Sequence, residues 1–316
     1  MDMNSLSINM LNHFRHVTGD YDVLSRQLSS GQRIVRTSLD PSGLAISKGM
    51  QAQIRGAFTA SHNAQETVQL LRLADSTLED ITSMVIRIRD LSLRMANQAT
   101  ANTQTSSNPM EIIPSDQRKM YDEMGSLAEE IRRRLGGLSL PTPPFIITES
   151  AAKFNTKDIF FAAYDSGQSA QVGPGGSPEY NFAIVIPSMT DIADSISVPA
   201  VPFPGNFSAK DFMDYGLIQV TEMDQDLEKI NTVRATLGAQ TRALENIVND
   251  LNIQSISLAG AESKISGVDM ADAAVRLKQN MIQQSTMNKA LSYMNDMQSF
   301  KIQILAVLPI FMQDEK

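Results

Sequence analysis

Apolar residues recur every seven positions along the N-terminal part of the chain, which predicts one long helix. Two rows, offset by three residues, make up this pattern: Ala64, Leu71, Leu78 and Val85 form one, and Ala74, Ile81, Ile88 and Met95 the other. Such paired rows form a continuous seam on one helical face, and here they predict a helix over about residues 44–97. At about 1.5 Å per residue, that helix is on the order of 80 Å long. Its seam must therefore be covered by other helices.

A second seam with the same seven-residue spacing lies in the C-terminal part. Its members are Met223, Ile230, Leu237, Leu244, Leu251, Leu258 and Ile265. So strict a spacing is typical of a helix that supercoils about a partner, and the first seam is the partner we expect. A shorter helix, Ser115–Leu135, follows Pro114 and ends before Gly136. These boundary residues predict a third member of an antiparallel bundle.

Both chain ends carry further amphipathic segments with few charges. Met10, Val17 and Leu24 form a seven-residue row near the start, and residues 275–311 mix apolar and polar residues, with Met287 and Met294 spaced by seven. The two bundle arms cannot supply a core that reaches these ends. We therefore predict that the ends are assembly helices, which pack against other protein chains.

The middle of the chain has a different composition. Nine of the 13 prolines lie in residues 141–204, and eleven of the 18 aromatic residues lie in residues 145–215. Three short β-prone runs, at 145–150, 158–164 and 180–186, are separated by Gly, Pro and Ser. This pattern predicts a small β-rich insertion at the far end of the two arms.

Together these segments predict a mainly α fold: a long antiparallel coiled coil or helical bundle, built from both chain ends, with a small β-rich central insertion. We expect a terminal coiled-coil domain (1–42 and 271–316), a helical bundle core domain (43–140 and 215–270) and a variable surface insertion (141–214).

Charge and composition exclude several classes of function. A formal net charge of -8 over 316 residues leaves no basic surface for nucleic acid. The absence of cysteine excludes disulfides, thiolate zinc sites and cysteine nucleophiles. No apolar run is long enough for membrane insertion, and residues 1–20 lack the apolar core of a secretory signal peptide. If the protein leaves the cell, we expect a dedicated export route.

Candidate catalytic and metal-binding residues are few. His13 and His16 share a helical face but have no third ligand nearby in sequence, and His62 stands alone in the first long helix. The glycine-rich residues 172–177 lack the Gly-Lys-Ser/Thr of a phosphate-binding loop. We therefore predict no catalytic site, no bound metal and no cofactor.

Several segments resemble the two signatures of bacterial flagellin. Residues 28–34 (LSSGQRI), 43–47 (GLAIS) and 53–56 (QIRG) are similar to its N-terminal signature, and residues 237–242 (LGAQTR), 261–265 (AESKI) and 269–271 (DMA) to its C-terminal one. The resemblance covers about residues 1–140 and 215–316.

This resemblance implies a structural subunit that self-assembles into the flagellar filament for swimming motility. The subunit would leave the cell through the flagellar type III apparatus, without a signal peptide, and end in the extracellular filament. Implied partners are other copies of the chain, an export chaperone at the C-terminal helix, and hook-associated and cap proteins. The family's contact with a host Toll-like receptor, or an axial contact in the filament, maps to Arg87, Leu91 and Glu123.

Other functions stay open at this stage. A hook-filament junction protein has similar terminal helices, although residues 53–56 and 261–263 favour flagellin. A secreted coiled-coil effector that acts on host membranes is a further alternative. Some flagellins carry a peptidase in the central region, but no His-Glu-x-x-His motif occurs here.

Overall fold

The structure is a computed structural model. It describes residues 3–97, 115–135, 152–160, 164, 167–196 and 209–311. The chain divides into two compact units: Met1–Ile54 with Ile256–Lys316, and Arg55–Ser255. The three-part domain division expected from the sequence stays a prediction.

Helices dominate the described residues, which confirms the mainly α fold class. Their bounds are α1 Met3–Ser30, α2 Pro41–Ala96, α3 Ser115–Leu135, α4 Thr190–Ser195, α5 Ala209–Ser266 and α6 Met270–Phe311. The long helix predicted over 44–97 corresponds to α2, and the predicted third bundle helix has the bounds of α3. The seams of α2 and α5 account for the length of these two helices.

Two small antiparallel hairpins form the β structure of the insertion. Strand β1 (Lys153–Phe154) pairs with β2 (Lys157–Asp158), and β3 (Gln168–Gln171) pairs with β4 (Asn181–Ile184). The two-residue turn at Asn155 and Thr156 has positive φ at both positions, as a tight hairpin requires.

The three predicted β-prone runs agree with the structure to different degrees. The run at 180–186 is confirmed by β4, and the run at 145–150 lies outside the described residues. The prediction of a strand over 158–164 was wrong at Ile159, Phe160 and Tyr164, and residues 161–163 lie outside the described residues. Ile159 and Phe160 are both fully buried in the hydrophobic core, so their adjacent apolar side chains do not alternate between two faces of a sheet.

In the second unit, α2, α3 and α5 form an antiparallel bundle around the predicted seam. The fully buried side chains come from all three helices: Leu71, Leu78, Ile81, Val85 and Ile88 of α2, Met124, Ile131 and Leu135 of α3, and Leu237 and Leu244 of α5. Leu251 lies in a smaller cluster with Ala57 and Ala60, and Leu258 is half-buried. The tightly packed part of the α5 seam therefore ends at Leu251.

The insertion lies along the bundle and not at its far end, which corrects the expected placement. The Asn63 side-chain amide donates to the Gln171 carbonyl at 3.2 Å, and the Gln240 amide donates to the Val185 carbonyl at 2.9 Å. At Gly56 the loop approaches so closely that a Cβ atom would meet the Pro174 carbonyl oxygen at 2.8 Å. A glycine is needed there.

The cause of this placement is the short length of α3. This helix ends at Leu135, and its Arg134 binds Asp80, halfway along the bundle part of α2. The remaining apolar rows of α2 and α5 need another cover. The insertion supplies one, because Phe160, Ile186 and Ile192 belong to the same hydrophobic core as the helices.

A charge in the seam should unfold the bundle. Leu78→Asp or Leu244→Asp places a carboxylate where the side chain is fully buried, so we expect a loss of at least the ~2–5 kcal/mol typical of Leu→Ala. Thermal unfolding followed by circular dichroism measures it. Leu73→Asp is the matched control, because Leu73 is 39% exposed. Wild-type melting of Leu78→Asp would refute the seam.

The shared core predicts that the insertion and the bundle unfold together. Phe160→Ala should lower the free energy of unfolding by about 3–5 kcal/mol and shift the helical melting transition as one step. Val185→Ala, at a 39% exposed side chain of the same insertion, should leave that transition nearly unchanged. A Phe160→Ala protein whose helices melt as in wild type would show that the insertion folds separately.

Candidate functional site

Charged pairs fix the register of α2 against α5. Arg72 binds Glu245 at 2.7 Å, Arg234 binds Asp75 at 2.8 Å, and Arg89 binds Asp224 at 2.6 Å. Residue numbers rise along α2 as they fall along α5, so the helices are antiparallel. The hydrogen bond to Asp75 is the main cause that raises the pKa of Arg234. Exposed pairs contribute little stability, and their role here is to select one register.

A second polar cluster lies in the first unit, where α1 ends and α6 begins. Gly31 closes α1 at a φ of 69°, and Gln32 forms an antiparallel bridge with Gly267. The Arg33 backbone amide donates to the Ser266 carbonyl at 2.6 Å. The Arg33 guanidinium donates to the Ile265 carbonyl at 3.1 Å. These contacts hold the segment after α1 against the segment before α6, and we call them the junction.

Asp40 links the junction to the start of α2. Its Oδ1 atom accepts hydrogen bonds from the Gly43 amide at 2.8 Å and the Ser42 hydroxyl at 3.0 Å, as an N-cap residue does. Arg33 binds the other carboxylate oxygen at 2.9 Å. The Gly43 hydrogen bond, followed by that of Arg33, lowers the pKa of Asp40. Pro41 occupies the first helical position, where a missing N–H costs nothing.

Glu262 joins α2 to α5 within the same unit. A single carboxylate oxygen accepts hydrogen bonds from the Ser47 hydroxyl at 2.7 Å, the Gln51 amide at 2.9 Å and the Ser266 hydroxyl at 2.8 Å. These donors lower the pKa of Glu262, with Ser47 the largest cause. The junction therefore depends on polar contacts between residues more than 200 positions apart in sequence.

The terminal helices α1 and α6 pack against each other in the first unit. Of the predicted assembly residues, Val17 is buried, whereas Met10, Leu24, Met287 and Met294 are only half-buried. Large apolar side chains remain exposed on both helices, among them Ile8, Leu11, Val275, Ile282, Phe300 and Ile302. A single chain thus leaves much of the apolar surface of its ends uncovered.

Arg87 and Glu123 meet on the surface of the second unit. The Arg87 guanidinium donates to the Glu123 carboxylate at 2.7–2.8 Å and joins α2 to α3. Leu91, one turn further along α2, is only 2% exposed and belongs to the core. The structure therefore brings two of these three residues together at the surface, and their contact with a receptor or a second subunit stays a prediction.

The part of the chain that the structure describes has few groups that could form a catalytic or metal-binding site. His62 binds Glu66 at 3.3 Å on the surface, and no cluster of three or more histidine or carboxylate side chains there could hold a metal ion. No described helix is both long and apolar enough to span a membrane.

Sequence reasoning missed a buried polar group on α5. Gln219 and Asp226 are almost fully buried, and Glu222 lies between them. Burial raises the pKa of Glu222 and of Asp226. It also raises the pKa of Tyr121, whose ring lies 5.9 Å from that of Tyr215 on α5, to about 12. The sequence signal that could have revealed this group is its seven-residue spacing, because positions 219, 226, 233 and 240 form a heptad row beside the apolar seam.

Known families match this chain at both ends. A model of the bacterial flagellin N-terminal helical region matches residues 2–133, and a model of the C-terminal helical region matches residues 220–305. These matches contain α2, most of α3, most of α5 and the junction.

Individual relatives match over most of their length. A flagellin of Bacillus subtilis is 27% identical, covering 96% of this chain and 98% of its own. The flagellar filament 33 kDa core protein of Treponema phagedenis is 31% identical over 81% of this chain and 82% of its own. A crystal structure of Bacillus cereus flagellin is 19% identical, with a TM-score of 0.42 over 64% of this chain and 94% of that one. By its two family matches and its relatives, this chain belongs to the bacterial flagellin family.

Proposed function

We propose that the protein is a structural subunit that assembles with copies of itself into the bacterial flagellar filament and so serves swimming motility. The observation that supports this proposal most strongly is the exposure of apolar side chains on the terminal helices α1 and α6. They pair with each other, yet Ile8, Ile282 and Phe300 are each more than half exposed. Burial of such side chains is favourable by about 25 cal/mol per Å² of apolar surface.

A second copy of the chain can cover the exposed apolar surface of α1 and α6. A neighbouring copy presents the same two helices, and repeated head-to-tail contacts between unlike surfaces produce an open helical polymer. Binding of the folded ends to a partner also stabilises them by mass action, so assembly depends on subunit concentration. The polymer would then be built around the α1–α6 pairs.

The bundle provides the stiff part of the subunit. Its three helices share one core, and Arg87 and Glu123 add a charged pair at the surface. This pair is suited to an axial contact with the next subunit, because both side chains are partly exposed and can form new ion pairs. The same surface would meet a host Toll-like receptor before assembly covers it.

Export and location follow from the proposed role. We expect passage through the flagellar type III apparatus without a signal peptide, and a final location outside the cell. An export chaperone would bind α6, whose exposed Ile282 and Phe300 need cover before assembly. Hook-associated and cap proteins would contact the two ends of the polymer.

The filament role is favoured over the alternatives. Relatives called flagellin match this chain over nearly its whole length, which favours a filament subunit over a hook-filament junction protein or a secreted effector. Flagellin is a family of structural proteins, and a structural role without catalysis is the one we propose.

Removal of residues 1–30 tests the proposed assembly role. This deletion takes away α1 but leaves the second unit and its core intact. We expect a folded, helical, monomeric protein that does not extend short filament seeds, whereas the full chain forms long, hollow, helically ordered filaments. Electron microscopy of the seeded reactions measures the difference.

The control for this test is circular dichroism of the deleted protein, which should retain the bundle melting transition. Filaments from the deleted protein would show that α1 is not an assembly element. Single rings from the full chain would instead favour the hook-filament junction role. Persistent monomers that bind lipid vesicles would favour the secreted effector.

A further inference from the structure

One heptad row of α5 carries polar residues where a buried helix usually carries apolar ones. The row is Gln219, Asp226, Val233, Gln240 and Ile247, next to the apolar seam that begins at Met223. Asp226 is 1% exposed, and among the described residues it is the one carboxylate that is buried. A carboxylate at such a position costs stability and is expected to have a specific partner.

The partner of Asp226 comes from the insertion. Its Oδ2 atom accepts a hydrogen bond from the Ser195 hydroxyl at 2.7 Å, and Ser195 is the last residue of α4. Its Oδ1 atom lies 3.4 Å from the ammonium group of Lys229, a side chain that is 50% exposed. The buried charge is therefore only partly compensated.

The other charged groups around Asp226 do not neutralise it. Glu222, one turn earlier on α5, is a second carboxylate, and the two repel each other. From α3, the Arg132 guanidinium donates to the Ile196 carbonyl at 2.6 Å. At this level α2 contributes Arg89, which binds the exposed Asp224. Burial raises the pKa of Asp226, although the Ser195 hydroxyl and Lys229 act in the opposite direction.

Ser195 and Ile196 attach α4 of the insertion to two helices of the bundle. The Ser195 hydroxyl binds α5 through Asp226, and the Ile196 carbonyl binds α3 through Arg132. The side chains of Ile192 and Ile196 are buried in the common core. The strength of the Asp226 contact therefore bears on how firmly α4 is held.

We propose that Asp226 and Ser195 form a proton-operated latch, which holds α4 of the insertion against the bundle and holds it more firmly in mildly acidic surroundings. A proton taken up by Oδ1 replaces the long contact with Lys229, and Oδ2 still accepts from Ser195. The buried negative charge disappears, and with it the repulsion by Glu222. The Ser195 hydrogen bond itself becomes weaker, because it favours the charged carboxylate, but α4 is held more firmly because its docking no longer requires a buried charge.

The direction of the pH effect follows from the raised pKa. A carboxyl whose pKa is higher in the folded state binds more protons folded than unfolded between that value and the ordinary value of 3.8. Stability should therefore rise as the pH falls through the folded-state pKa, and the gain should be complete below the ordinary value of 3.8. The lowered pKa values of Asp40 and Glu262 oppose it, so only differences between variants isolate the latch.

The first test compares wild type with Asp226→Asn, which keeps the shape and an oxygen acceptor for Ser195. As the pH falls from about 7 toward 4, the melting temperature of wild type should gain about 2–4 °C relative to Asp226→Asn. Glu228→Gln is the matched control, since this exposed carboxylate lies only two residues from Asp226 on α5 and its loss should leave the wild-type pH slope unchanged. Equal slopes in wild type and Asp226→Asn would overturn the proposal.

Two further variants distinguish Asp226 from Glu222 as the carboxyl that takes up the proton. Because Glu222 and Asp226 are coupled, Glu222→Gln should reduce the slope without removing it. A slope that vanishes in Glu222→Gln but persists in Asp226→Asn would assign the proton to Glu222 and refute the latch. Ser195→Ala removes a hydrogen bond to the charged form, so the midpoint of the wild-type effect should move to higher pH.

Hydrogen exchange locates the effect. After correction for the intrinsic pH dependence of exchange, the amides of residues 190–196 should gain protection as the pH falls in wild type and not in Asp226→Asn. Protection that does not change with pH in wild type would contradict a latch at α4, even if the melting temperature changed.

Discussion

The antiparallel pairing of α2 with α5 is the constraint on which the rest of the structure depends. Each helix carries a long apolar seam that needs a partner. The two seams cover each other over Leu71–Val85 of α2 and Ile230–Leu244 of α5. α3 covers one part of the remaining apolar surface, and the insertion covers the next part because α3 is short. In the first unit, Glu262 joins the same two helices through hydrogen bonds to Ser47 and Gln51. Hydrophobic periodicity thus sets the pairing, and ion pairs such as Arg72–Glu245 set its register.

Much of this fold could be predicted because heptad spacing and helix-ending residues are local signals. Pro114 and Gly136 were enough to locate α3, and the spacing from Leu71 to Ile88 was enough to locate the buried face of α2. The placement of the insertion could not be predicted. It depends on where α3 ends relative to the seams of α2 and α5. That position is set by the three-dimensional packing of the helices and has no local sequence signal. Ile159 and Phe160 were assigned to a strand for a similar reason, because a short apolar run does not reveal whether it joins a sheet or a helical core.

The candidate site was less predictable than the fold. Glu262 lies in a segment that resembles the family signature, but its role depends on Ser47, which is more than 200 residues away. Asp226 was missed because a charged residue in a helical repeat is ordinarily solvent-exposed, and only its place in the row of Gln219 and Val233 indicates burial. Arg87 and Glu123 were predicted as a group with Leu91. The first two form an ion pair, whereas Leu91 packs inward, since it lies one turn from the seam residues Ile88 and Met95 on the buried face of α2.

A filament subunit needs a rigid body and ends that other copies can cover, and the α2–α5 pair supplies the rigid body. Distances between spin labels test that pairing most directly, because a chain without cysteine accepts labels only at introduced positions. Labels at Arg72→Cys and Glu245→Cys should lie close together, whereas Arg72→Cys with Asp224→Cys should give a distance longer by on the order of 20–30 Å, since 21 residues of helix separate the two α5 sites. Equal distances for the two pairs, or the reverse order, would contradict the register in which Arg72 lies beside Glu245.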